Sequence, residues 1–157
     1  VLDIADVGKV MKDKKRAFHK DRQIITKLAN SFIEGMHEAG MPSCGKHFPG
    51  HGSSKADSHL GLVDVTQTWT LTEMLPYQNL INAKLVDAIM TAHIINTQLE
   101  PSKLPATLSK KVITDKLRNE LGYQGVIITD DMQMGAIAKY YGFKESIKSS
   151  QNRGSFS

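Results

Sequence analysis

Cysteine occurs once, at Cys44, and tryptophan once, at Trp69, in a chain of 157 residues. A single thiol excludes an internal disulfide framework and a paired-cysteine metal or redox motif, and fits a reducing compartment. No apolar run approaches the ~18 residues that a membrane span needs. No signal peptide opens the sequence. A cytoplasmic protein without a membrane partner is therefore expected. A Gly-x-Ser-x-Gly elbow is also missing, which removes the commonest serine-hydrolase signature. The net charge is only +4, spread over Lys12–Arg16, Lys110–Lys111 and the C-terminal segment without interleaved aromatics. Solvated faces explain that better than a nucleic-acid groove.

What is present alternates between helix and strand patterns. "DRQIITKLANSFIEGMHEAGM" carries Ile25, Leu28, Phe32 and Met36 at helical spacing, with Gly40 as the stop. "LTEMLPYQNLINAK" reads as a helix with Pro76 early in it. "TLSKKVITDKLRNELG" reads as another, with Ser109 as candidate cap and Gly122 as terminator. Four strand candidates lie among these: "VLDI", "SCGKHF", "LVDAIMTAHII" and "QGVIITDDM". Strands separated by helices predict βα units and a parallel sheet, hence an α/β fold. Polar residues follow the apolar part of successive strands at Lys46–His47, Thr91–His93 and Thr129–Asp131. In parallel α/β folds the carboxyl ends of strands form the site, so three loops are expected to converge.

The densest chemistry lies in "CGKHFPGHGSSKADSHLGL", residues 44–62, which holds three of the six histidines. His47, His51, Asp57 and His59 could ligate zinc, although their intervals match no helix-face pattern. Asp130 at a strand end, with Asp57 beside His59, suits a two-step displacement at an acetal carbon instead. Each residue also has a plainer role available. Asp130 could cap a helix, His59 could be a solvated loop side chain, and His93 could be a satisfied core histidine. Met132 and Met134 read as packing.

"KHFPGHG", "DSH" and "GVIITDDMQMGAI", in that order, resemble the family 3 glycoside hydrolases, especially their β-N-acetylglucosaminidase (β-hexosaminidase) branch. "RAFHKD", "MTAHI" and "LPATLSKKVITDKLRNELGYQGVI" are similar to the segments between. The resemblance runs from about Val1 to about Phe143. It implies a TIM-type (β/α)₈ barrel and retaining hydrolysis of terminal β-linked N-acetylglucosamine, as in peptidoglycan fragments, with no cofactor and a carbohydrate as the only partner. Residue by residue, it implies that Asp130 is the nucleophile, His59 the acid/base and Asp57 its support. Lys46, His47 and Arg16 would bind the sugar, and His93 would line the pocket. His19 and Arg22 stand where the family more usually has glycine and proline.

A full barrel takes about 250 residues, so this sequence is expected to carry about four strands of one. Residues 1–143 would form that partial catalytic domain, and the polar segment 144–157 a disordered tail. An open sheet has unpaired edges, which favour self-association; an inactive, self-associating partial barrel is the alternative to an active enzyme.

Overall fold

The computed structural model describes residues 1–4, 9–56, 61–152 and 155. Helix α1, Arg22–Glu38, begins where the Asp21 carboxylate accepts hydrogen bonds from the Gln23 and Ile24 N–H groups at 2.7 and 3.3 Å. That is the role of an N-cap. It ends at Gly40, whose φ of +72° favours glycine. Its inward stripe is Ile25, Ala29 and Ile33, a run of i, i+4 steps. Of the expected stripe, only Ile25 is fully buried. Leu28 and Phe32 remain 43% and 58% exposed because they sit on the adjacent face, where Phe32 meets Phe18 at a ring distance of 5.9 Å.

Three strands form one parallel sheet in the order β1-β3-β5: β1 Cys44–Phe48, β3 Ala88–Thr91 and β5 Val126–Thr129. Two shorter strands, β2 Val63–Asp64 and β4 Ile94–Ile95, pair in parallel outside that sheet. Helix α2, Leu75–Asn82, with Pro76 in its first turn, links β2 to β3. A wide-wound helix, Lys111–Glu120, links β4 to β5. The Ser109 hydroxyl oxygen accepts from the Val112 N–H at 3.1 Å and its proton goes to Glu100 Oε2 at 2.6 Å, so the predicted cap holds. One core of Ile25, Phe48, Tyr77, Leu80, Ile89 and Ile127 lies between sheet and helices.

Three expectations need correction. "VLDI" is no strand: Leu2 donates a single backbone bond to Lys46 O at 2.8 Å, and Asp3 turns inward. "LVDAIMTAHII" is two strands, not one, because Ala92 and His93 leave the ladder and the His93 ring takes other partners. Among the described residues the main sheet has three strands and the second sheet two. Residues 144–157, expected to be a disordered tail, instead hold all but the first residue of helix α4, Phe143–Gln151, which follows α3, Gly135–Tyr141. Its polarity hid one anchoring residue, Ile147, which packs on Leu108, Met132 and Ile137.

Candidate active site

The carboxyl ends of β1 and β5 bring the first two candidate site residues, His47 and Asp130, together. The register of β1 against β3 slips between Lys46 and Phe48, so His47 drops out of the ladder. Such an irregularity re-aims a side chain. The Lys46–His47 and Phe48–Pro49 peptide bonds are cis. The freed His47 N–H donates to both oxygens of Asp3 at 3.2 Å, and the His47 Nδ1–H donates to Asp3 Oδ2 at 2.8 Å. Nε2 is then the ring atom left to face Asp130, whose Oδ2 lies 3.8 Å away. That exceeds the ~3.2 Å limit of a direct bond. It is a span that an intervening hydroxyl oxygen can bridge.

Asp3 anchors more than His47. It is fully buried and also accepts from the His51 N–H at 2.7 Å. Burial alone would push its carboxyl up, but the His47 ring and these N–H donors outweigh that and hold it below the ordinary range. His51 is itself buried, its Nδ1 2.5 Å from the Ser54 hydroxyl, and burial lowers its pKa despite the nearby Asp3 charge.

Beneath the same loop, Glu73 Oε2 accepts from the Gly52 N–H at 3.1 Å, and Trp69 Nε1 donates to Pro49 O at 3.1 Å. Gly52 is required there, since a Cβ would overlap the Ile4 carbonyl. Burial pushes Glu73 up to about 7, aided by the Asp3 charge and opposed by hydrogen bonds from Ser53 and Gly52.

Asp130 is half-buried, with 23% of its side chain accessible. Its N–H donates to Thr91 O at 3.3 Å and its Oδ1 accepts from the Asp131 N–H at 2.9 Å. An open pocket of about 290 Å³ lies beside it, bounded by Asp131, Gln133, Phe143 and Ile147. His93 lies nearby but is fully buried, with Nδ1 2.9 Å from the Thr107 hydroxyl and Nε2 2.9 Å from Asp131 O. Burial lowers its pKa. Lys46 is half-buried on β1, next to His47. Arg16 is half-buried too, and its carbonyl accepts from the Val1 amino group at 3.4 Å, two residues before Asp3. Asp57 and His59 lie outside the described residues.

Sequence reasoning missed Asp3 and Glu73. Asp3 had a usable signal, a lone carboxylate inside an apolar tetrapeptide. Glu73 had none beyond its place in a helical pattern. Among the described residues, no three His, Cys, Asp or Glu side chains are grouped as metal ligands. No helix among them is long and apolar enough to cross a membrane.

Comparison with known proteins matches this arrangement. The β-hexosaminidase of Tolumonas auensis is 40% identical over 98% of this chain and 46% of its own length. This chain therefore spans less than half of that relative. The family 3 β-N-acetylglucosaminidase structure from a Paenibacillus species superposes with a TM-score of 0.91 at 38% identity, over 98% of this chain and 30% of that one. The NagZ structure from Neisseria gonorrhoeae, in complex with N-trifluoroacetyl-D-glucosamine, has a TM-score of 0.83 at 32% identity, over 98% of this chain and 43% of that one. The sheet and helices here are thus part of a TIM-barrel-like domain. The family model for the glycosyl hydrolase family 3 N-terminal domain matches residues 1–155, beyond the expected limit near Phe143. The chain belongs to glycosyl hydrolase family 3, as part of its N-terminal domain.

Proposed function

We propose that this chain carries the catalytic centre of a retaining β-N-acetylhexosaminidase that removes terminal, non-reducing β-linked N-acetylglucosamine, of the kind found on peptidoglycan fragments. The observation that carries it is the approach of Asp130 to within 3.8 Å of the Asp3-anchored His47, at the carboxyl ends of β5 and β1. The relatives named for this activity support the substrate class.

The roles are those that the family resemblance implies, and the chemistry agrees with them. The Asp130 carboxylate attacks the anomeric carbon while the leaving oxygen takes a proton from His59, with Asp57 supporting the imidazolium. Water then hydrolyses the glycosyl-enzyme after giving its proton back to His59. A histidine suits both steps because it titrates near neutral pH without tuning. Lys46, His47 and Arg16 would hold the sugar hydroxyls. No metal or cofactor enters these steps.

A p-nitrophenyl β-N-acetylglucosaminide assay on the full-length polypeptide that bears this sequence tests the reading. Release faster than from the matching β-glucoside is expected. Preference for the glucoside, or activity lost to a chelator and restored only by metal, would overturn it.

Self-association is a second property that the surface supports. In the three-stranded sheet β1 and β5 are the outer strands, and Ile24, Leu28 and Phe32 of α1 are exposed together. The 157-residue chain is therefore expected to associate through these open edges and to be a poor catalyst by itself.

A further inference from the structure

His93 and Thr107 are fully buried between β3 and the Asp130 turn, and no step above uses them. Their protons can be assigned. His93 Nε2 faces the Asp131 carbonyl, which only accepts, so Nε2 carries the hydrogen. Burial keeps the ring neutral, which makes Nδ1 an acceptor for the Thr107 hydroxyl at 2.9 Å. Thr107 Oγ1 also lies 2.9 Å from Ala92 O, but one proton cannot serve both, and that carbonyl already has the Thr107 N–H at 3.3 Å. The Thr107 oxygen in turn accepts from Thr91 Oγ1 at 3.0 Å. Beyond the ring, the Asp131 N–H donates to Asp130 Oδ1 at 2.9 Å, and the Asp130 N–H returns to Thr91 O at 3.3 Å. The circuit starts and ends on Thr91 and passes through the carboxylate.

We propose that His93, held by Thr107, is a positioning residue that fixes the Asp131 peptide and through it the Asp130 carboxylate, rather than a group that touches sugar. This rests on Asp130 being the nucleophile. An ungrouped carboxylate at a strand end would rotate among rotamers, whereas this one accepts a fixed N–H whose own residue is pinned from β3. Misplacing a reacting group by about 1 Å costs up to ~10²-fold in rate.

The test uses the full-length polypeptide, steady-state kinetics on p-nitrophenyl β-N-acetylglucosaminide, and thermal unfolding as the check on folding. His93→Leu is expected to lower kcat ~10–100-fold with KM changed less than about 3-fold. His93→Gln keeps an N–H close to the Nε2 position and should recover most of the rate. Thr107→Val, which removes the hydroxyl, should reproduce the kcat loss, and Thr107→Ser should not. If His93→Leu does not fold, the Gln, Val and Ser variants decide the matter alone. A rise in KM with kcat intact in the His93 variants, or an unchanged kcat in Thr107→Val, would overturn the proposal. Asp130→Asn assayed alongside keeps the two ideas apart, because full activity there would remove the nucleophile reading itself.

Discussion

Replacing Glu73 by glutamine should make the protein more stable relative to the parent as pH rises, and the size of the effect follows from burial. Glu73 is 4% exposed and its carboxyl is pushed from 4.5 up to about 7. At ~1.4 kcal/mol per unit that shift corresponds to about 3 kcal/mol. The folded state holds its proton more tightly than the unfolded chain. Below pH 4.5 both states are protonated and the group exacts no penalty. Between 4.5 and about 7 the unfolded chain releases its proton first, so stability falls, and above 7 the full cost persists. Glutamine stays neutral and can still accept from the Gly52 N–H. Any constant offset from altered hydrogen bonding cancels when one compares pH values. Urea unfolding of parent and Glu73→Gln at pH 4.5, 6, 7 and 8 measures the difference. It should grow by about 3 kcal/mol across the series. Asp3 stays ionised throughout and His51 titrates in both proteins, so neither supplies the difference. A difference that stays level within about 1 kcal/mol would show that Glu73 titrates as an ordinary carboxylate.

Asp130→Asn should suppress hydrolysis of activated and unactivated substrates alike, because no glycosyl-enzyme forms; burst kinetics with an aryl substrate would show it. His59→Ala should cost ~10²–10⁴-fold with poor leaving groups and far less with activated aryl ones, and equal losses on both would remove it as the acid. Asp3→Leu leaves the Nδ1–H and N–H of His47 and the N–H of His51 without their acceptor, so a loss of ~3–5 kcal/mol is expected from chemical denaturation. Light scattering on the 157-residue chain should report association, and a monodisperse monomer with a turnover of roughly 1–10³ per second would contradict both the association and the expected weak activity.

The βα alternation was legible in the sequence, because it depends on local periodicity and stop signals. Helix α1 with Gly40, the Ser109 cap, and strands β1 and β5 all fell where apolar spacing and turn chemistry put them. The two-residue strands β2 and β4 were not legible, since two residues carry no period. Nor was α4, whose polar composition conceals the one anchor Ile147. At the site, the order of "KHFPGHG", "DSH" and "TDD" marked the residues that motif spacing can mark. Which groups stand behind them was decided by tertiary contact alone. Asp3 reaches His47 across 44 positions, Glu73 meets Gly52 across 21, and His93 meets Asp131 across 38. Buried polar side chains need partners, but sequence spacing cannot say from how far along the chain a partner comes; only the packed sheet brings them within bonding distance.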